Sequence, residues 1–243
     1  MIAYAKFAAF YDQIMGDRTV DVERVREYIR RYLPSAGSLL ELGCGTGAVL
    51  AEFAPDLTTA GIDRSPDMLA VAAGRVPQAR LVESDITAFD LGTKFDVVIC
   101  VFDTLNHLPS FEAWLALFDR VHEHLAAGGI FAFDVNTVGR LRRLWQGPAF
   151  AQDFGGHTVI MDVAPGGGDL SLWQVRIFER LEGDQFRLHR EVLTELGVPL
   201  DQIRQALAPR FDLLEETDLD HGPVSDDSNR VFFAYRRRAE DPD

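Results

Sequence analysis

The chain has 243 residues, 47% of them hydrophobic, with 38 acidic residues against 24 Lys and Arg and a formal net charge of −14. That length suits one α/β domain with a sizeable core and a small appended lobe. The charge argues against a nucleic-acid partner, which takes a basic footprint, and no apolar run reaches the ~18 residues that would span a membrane.

Tyr4, Phe7, Ala8, Tyr11, Ile14 and Met15 recur at three- and four-residue steps, so the N-terminus reads as a helix with an apolar stripe. It lacks the basic-then-apolar layout of a secretory signal. A second helix is expected from Val20 to Leu33, ended by Pro34. Strands follow near Leu39–Leu42, Thr58–Ile62, Arg80–Val82, Phe95–Val101 and Ile130–Val135, with helices between most of them. The helix after Asp63 has a cap in Ser65, a first-turn Pro66 and an acidic Asp67 at its positive end. Ser110 caps another helix, whose apolar face is Trp114, Leu117, Phe118, Val121 and Leu125; Gly128-Gly129 ends that connection. Alternating strands and helices predict an α/β fold built on a doubly wound, mostly parallel sheet. Cys44 and Cys100 end or follow core strands and read as small buried hydrophobes of a cytoplasmic protein.

The pattern changes after residue 136. A short helix over Val138–Trp145 precedes three β-like runs, His157–Val163, Leu170–Leu181 and Gln185–Leu196, separated by Pro165-Gly-Gly-Gly168 and Glu182-Gly183-Asp184. Residues 137–196 therefore read as a small inserted antiparallel sheet, and residues 1–136 with 197–243 as the core. The insert is too small to stand alone. It is expected to form a lid or the surface of a homodimer. Arg176, Arg180, Arg187 and Arg190 alternate along it and read as an outward polar face. A helix over Leu200–Leu207 and strands near Phe211–Thr217 and Arg230–Arg237 complete the chain.

The chemistry is concentrated in Leu39-Leu-Glu-Leu-Gly-Cys-Gly-Thr-Gly47. An apolar strand end runs into three alternating glycines, which reads as a tight turn into a helix. Such a turn admits a ligand close to the backbone and aims helix amides at an anion. Two nucleotide-like ligands fit. Gly43-x-Gly45-x-x-Ala48, with Asp63 placed 20 residues after Gly43, satisfies a dinucleotide fingerprint. Glu41 favours the other. A carboxylate beside the turn repels a pyrophosphate but attracts the ammonium or sulfonium of S-adenosylmethionine.

Glu41-Leu-Gly-Cys-Gly-Thr-Gly47 resembles the first motif of class I S-adenosylmethionine-dependent methyltransferases. The resemblance continues in the family's order through Gly61-Ile-Asp63, Val82-Glu-Ser-Asp85-Ile86, Phe95–Asp103 and Leu125–Asp134. It implies a Rossmann-like sheet of seven strands closed by the last pair. It also implies S-adenosyl-L-methionine as cofactor and methylation of N or O on a small molecule. On this reading Gly43, Cys44, Gly45 and Arg64 border the donor, and Asp63 accepts from its ribose hydroxyls. Asp85 accepts from the adenine amino group, while Met68 and Ile86 pack on the ring or are plain core. Val101 and Phe102 border the donor with their backbone. Glu41 holds the methionyl ammonium or caps amides of the turn.

The segment Asp103-Thr-Leu-Asn-His107-Leu-Pro resembles the acceptor loop of small-molecule methyltransferases, amino-sugar N-methyltransferases among them. His107 stands where such enzymes place a histidine near the acceptor amine, and its pKa range suits a base. Asn106 and Asp103 are the competing acceptor-binding groups. Tyr11 resembles the leading-helix Tyr that covers the donor, with Tyr4 a second candidate. His122 and His124 point apart on one helix and no His spacing suits a metal, so none is expected. A dinucleotide-dependent oxidoreductase and a binder that has lost transfer are the alternative functions.

Overall fold

The computed structural model describes residues 8–238. In chain order it contains α1 (Tyr11–Met15), α2 (Thr19–Tyr32), β1 (Ser38–Leu42), α3 (Leu50–Phe53), β2 (Thr58–Asp63), α4 (Pro66–Arg75), β3 (Arg80–Glu83) and β4 (Phe95–Cys100). A 3-10 turn (Thr104–His107) leads into α5 (Phe111–His124), β5 (Leu125–Asn136) and α6 (Val138–Leu144). Then come β6 (Phe150–Phe154), β7 (His157–Gly167), β8 (Leu170–Arg180), β9 (Phe186–Leu196), α7 (Leu200–Leu207), β10 (Phe211–Asp218) and β11 (Arg230–Arg237). Tyr4 and Phe7, expected on the first helix, lie outside the described residues. No helix among those described is long and apolar enough to cross a membrane.

Seven strands form one sheet in the order β10-β11-β5-β4-β1-β2-β3. The pairs among β1 to β5 are parallel, and β11 runs antiparallel to both neighbours. Successive strand residues face opposite cores, as a pleat requires. Leu40, Leu42, Val98, Phe131 and Phe133 pack with Trp114, Leu117 and Phe118 of α5 and with Ile203 and Leu207 of α7. Leu39, Val97, Ile99 and Ala132 pack on the other face with Val22, Val25 and Tyr28 of α2. Helices cover both faces, so the sheet is doubly wound. Its carboxyl edge is where strand ends and loops are left to build a site.

Strands β6 to β9 form a second, antiparallel sheet in chain order. Its inner face, Phe154, Val159, Val175, Ile177 and Leu193, packs on Ile14, with Phe10, Tyr11 and Met15 alongside. The insert therefore rests on the N-terminal helix. Its outer side leaves Phe186, Leu188 and Val192 exposed, and Phe150 is exposed at the far end of β6. Of the alternating arginines, Arg176, Arg180 and Arg190 share the outer face, where Arg176 pairs with Asp162, but Arg187 does not: it pairs in register with Glu179 on the face of Ile177 and Leu193, at the exposed end of the sheet.

Three expectations are corrected. Strand β6 has no counterpart in the sequence reading, because only Phe154 of its five residues is buried and no alternation shows. Gly128-Gly129 does not end a connection before β5. Helix α5 passes directly into β5, and the glycines sit in a register shift between the pairs Phe95–Leu125 and Val97–Ile130. The glycine turn after β1 does not open a substantial helix, since α3 begins only at Leu50 and has four residues.

Helix α4 does start as expected. Ser65 Oγ accepts from Met68 N at 3.4 Å, and Pro66 opens the first turn. Replacing Ser65 with Ala should cost about 1 kcal/mol, a fall in melting midpoint of roughly 2–4 °C for a chain of this size. Calorimetric melting checks it, and an unchanged midpoint would deny the cap a role in stability.

Candidate active site

The site grows from the carboxyl ends of β1, β2, β3 and β4. Beyond β1 the chain turns at Gly43 with φ +70°, in the left-handed region. A Cβ there would fall 2.4 Å from Thr104 Cγ2, so glycine lets the loops after β1 and β4 touch. The turn's amides are used internally. Gly43 N and Cys44 N donate to Ile62 O at 2.8 and 2.9 Å, Gly47 N to Cys44 O at 2.8 Å, and Gly45 N to Asp63 Oδ2 at 2.8 Å. The expected row of helix amides aimed at an anion is thus absent from Gly43, Cys44, Gly45 and Gly47; what the loop presents instead is a carboxylate locked to it.

That carboxylate is Asp63, at the end of β2. Its Oδ1 accepts from Ser65 N at 2.9 Å while Oδ2 takes Gly45 N. Each oxygen keeps a second lone pair for a ligand hydroxyl. Burial pushes the Asp63 pKa up, and the Ser65 and Gly45 amides pull against that. Asp85, after β3, is exposed at the same cleft, and its Oδ1 accepts from Thr87 N and Oγ1 at 2.8 and 2.7 Å.

The cleft has about 1030 Å³ of empty space, counting its open mouth. It is lined by Gly43, Gly45, Asp63, Arg64 and Met68, by Asp85 and Ile86, and by Tyr11, Phe102, Thr104 and His107. The expected donor-side residues Gly43, Gly45, Asp63, Arg64, Met68, Asp85 and Ile86 are therefore gathered at one opening with Tyr11, Phe102 and His107. Glu41, Cys44 and Val101 do not line it; they are buried behind it at 4%, 5% and 4% exposure. Glu41 Oε2 is buried with no hydrogen-bond partner. Burial first, then the charge of Asp63, pushes the Glu41 pKa well up, with Arg18 opposing. Cys44 Sγ fills the space where a side chain on Gly61 would stand, at 2.7 Å from that Cβ position.

After β4 the backbone is strained. Phe102 and Asp103 have φ +64° and +52°, and neither is glycine. The buried carboxylate of Asp134, on β5, holds both in place. Its Oδ1 accepts from Phe102 N at 2.6 Å and Oδ2 from Asp103 N at 3.0 Å. Burial pushes the Asp134 pKa up to about 7, with Arg230 pulling it back. Arg230, on β11, lies 3.1 Å from Asp103, 3.4 Å from Asp134 and 3.5 Å from Asp21. Burial works against its charge, but the surrounding carboxylates outweigh that and raise its pKa.

The strained pair launches the 3-10 turn. Asn106 is fully buried, and its Nδ2 donates to Asn136 O at 2.9 Å and Leu196 O at 3.0 Å, while its Oδ1 accepts from Asn136 N at 2.9 Å. It fastens the turn to β5 and β9 and is not an acceptor-binding group, which corrects the expectation. Asp103 likewise faces Arg230 and Asn136 rather than the opening.

His107 Nδ1 lies 2.8 Å from Thr194 O. A carbonyl only accepts, so Nδ1 carries the proton and the neutral ring has its lone pair on Nε2. Burial lowers the His107 pKa, Asp103 and the Thr194 bond oppose, and Arg64 adds to the lowering. The ring is neutral at neutral pH and sits in the cleft wall.

Helix α1 closes the remaining side. Asp12 accepts from Thr46 Oγ1 at 2.8 Å and Arg75 Nη2 at 2.6 Å, tying α1 to the glycine loop and α4. Arg18 pairs with Asp12 at 3.1 Å and lies between the rings of Tyr11 and Phe102, at 5.3 and 5.1 Å. Burial, then the charge of Asp103, raises the Tyr11 pKa, so the phenol keeps its proton. Asp12, Arg18, Thr104 and Asp134 carry no local sign of these partners, which, Arg18's contacts with Asp12 and Tyr11 aside, are 31 or more residues away.

One cluster bears on metal binding. Asp103, His107 and Glu195 each bring a ligand-type atom within 4.8 Å of the others. Asn136 Nδ2 already donates to Asp103 Oδ2 at 3.2 Å and Glu195 Oε2 at 2.8 Å, and Arg230 donates to Asp103 Oδ1 at 3.1 Å. These donors and the Arg230 charge meet the carboxylates in a way that suits an internal network better than a cation.

Comparison with known proteins bears on the family and the fold. Residues 39–129 match the family described as methyltransferase domain. The chain is 36% identical to dTDP-3-amino-3,4,6-trideoxy-alpha-D-glucopyranose N,N-dimethyltransferase of Streptomyces venezuelae, over 47% of this chain and 48% of the relative. An S-adenosylmethionine-dependent methyltransferase of Clostridium acetobutylicum superposes with TM-score 0.86 at 23% identity, over 97% of this chain and 99% of that one. An amino pentose methyltransferase of Micromonospora echinaspora, solved with S-adenosylmethionine bound, superposes with TM-score 0.75 at 25% identity, over 95% and 96% of the two chains.

Proposed function

We propose that this class I S-adenosylmethionine-dependent methyltransferase methylates the nitrogen of a small amine, with amino sugars linked to a nucleotide as the substrate class, and that His107 is its base. The observation that carries the reading is a neutral histidine that lines the same cleft as the carboxylates of Asp63 and Asp85, its tautomer fixed by a backbone carbonyl.

The residues present fit the donor. Asp63 and Asp85 offer hydrogen-bond acceptors to a ribose diol and an adenine amino group, and Met68 and Ile86 offer apolar faces to a flat ring. Buried Glu41, with one oxygen lacking a partner, suits an ammonium that arrives with the ligand. When bound, the donor supplies an electrophilic methyl group on a sulfonium centre. What remains for the protein is to align the acceptor, exclude water and remove its proton. An amine protonated at neutral pH has no lone pair to offer. His107 Nε2 takes that proton, the N–H bond breaking as Nε2–H forms, and Asp103 stabilises the resulting imidazolium. Tyr11 and Phe102 flank the acceptor side.

Two measurements test this. S-adenosylhomocysteine at about 100 times its dissociation constant adds roughly 2.7 kcal/mol, so the midpoint should rise by roughly 5–10 °C, with no shift from NAD or NADP. A shift with a dinucleotide alone would overturn the donor. Mass spectrometry after incubation with S-adenosylmethionine and a dTDP-linked 3-amino sugar should then show one or two added methyl groups. Transfer to a hydroxyl compound but to no amine in a panel would overturn the amine reading.

A further inference from the structure

The inserted sheet reaches the site through three consecutive residues of β9. Thr194 O receives His107 Nδ1 at 2.8 Å, and Leu196 O receives Asn106 Nδ2 at 3.0 Å. Between them Glu195 is buried at 3% exposure, its Oε2 accepting from Asn136 Nδ2 at 2.8 Å. The same amide nitrogen reaches Asp103 Oδ2 at 3.2 Å, so one Asn bridges two buried carboxyl groups. A ligand-type atom of His107 lies within 4.8 Å of both.

We propose that Glu195 is a positioning residue for His107: it stays protonated, leaves Asp103 as the one anion beside the imidazole, and thereby keeps the resting ring neutral. Two carboxylates this close, shielded from water, do not both ionise. The surroundings say which one keeps the proton. Arg230 on β11 donates to Asp103 at 3.1 Å, whereas Glu195 has the uncharged Asn136 amide. Arg230 is shared with Asp134 of β5 and Asp21 of α2. Burial, then the charge of Asp103, pushes the Glu195 pKa up to about 8, outweighing the Asn136 hydrogen bond, Arg140 of α6 and Arg230, which favour the anion. On the neighbouring strand the register partner is Ser171, an uncharged residue whose Oγ accepts from Trp145 Nε1 at 2.8 Å. An ionised Glu195 would add a second negative charge near His107 and raise its proton affinity, so that the base would rest already protonated. The inserted sheet thus contributes charge control as well as cover.

The inference rests on His107 being the base, but its test does not need an acceptor. Protein labelled with 15N in histidine, saturated with S-adenosylhomocysteine, is titrated by NMR, with the His107 signal assigned from H107Q. In the wild type the ring should titrate below about pH 6.5, with a second, smaller inflection near pH 8 as Glu195 ionises. Glu195→Gln, isosteric with the neutral acid, should keep the first inflection in place and abolish the second. Asp103→Asn should move the second downward by about one pH unit or more, and it serves as the independent reading if E195Q fails to fold. The proposal is overturned if the wild type lacks the second inflection, if E195Q retains it, or if E195Q lowers the first midpoint, which would mean that Glu195 is ionised at rest. Failure to methylate any amine would count against the function proposed above and would leave these ring titrations standing.

Discussion

Replacing Asp63 with Ala should weaken S-adenosylhomocysteine binding by at least about 100-fold. The carboxylate is fixed by Gly45 N and Ser65 N, one on each oxygen, so it is held ready for a diol before any ligand arrives. Hydrogen bonds to a charged acceptor are worth about 1.5–3 kcal/mol each, and each 1.4 kcal/mol is roughly a factor of ten in affinity. Losing two such bonds gives the stated floor. The variant also leaves two loop amides unpaired, so its melting midpoint must be measured beside the calorimetric titration. Asp63→Asn separates the effects. It keeps the shape and one acceptor oxygen, and should bind between wild type and Ala. Unchanged affinity in a folded Asp63→Ala protein would remove Asp63 from the ribose.

Replacing His107 with Ala should slow transfer to an amine by about 10²- to 10⁴-fold, the usual contribution of a positioned base. Donor affinity should hardly change, because the hydrogen bonds that fix Asp63 and Asp85 come from Gly45, Ser65 and Thr87 and do not involve the ring. The pH dependence supplies a second reading. Burial lowers the His107 pKa below its ordinary value, so the wild-type rate should stay level through neutral pH and fall only as acid protonates the ring. The variant should lack that acid limb. Equal rates and equal limbs in both proteins would make His107 a packing residue for Thr194.

Much of this was legible before the fold was known, for a physical reason. Burial on one face imposes a period, which is why Trp114, Leu117, Phe118 and Val121 mark α5 and why Ser65 and Ser110 mark helix starts. Asp63 and Asp85 are visible because one ends β2 and the other lies two residues past β3, and strand ends are where an open α/β sheet puts its ligands. What stayed hidden depends on partners chosen by topology. Any residue offers a carbonyl, so nothing marks Thr194 as the group that sets the His107 tautomer. A left-handed Phe102-Asp103 pair has no compositional sign, because the carboxylate that enforces it is 31 or 32 residues away. Asn106 shows the reverse error. A polar side chain in an acceptor loop suggests contact with a ligand, yet its donors and acceptor are all taken up by backbone.

The place of β11 bears on how the chain matures. Among the described residues it is the last strand in the chain, yet it lies between β10 and β5 rather than at an edge. During synthesis β1 to β5 can assemble as soon as residue 136 is free, but the outer side of β5, with Ile130, Phe131 and Phe133 along it, then has no neighbour. An unpaired apolar strand edge invites pairing with other chains, and long-range strand pairing is slow. The same late strand brings Arg230, so the charge that balances Asp21, Asp103 and Asp134 arrives with the sealing of the sheet. A nascent chain should therefore be able to grip the donor well before it can do chemistry, and a truncation short of Arg230 should yield aggregates rather than a smaller enzyme.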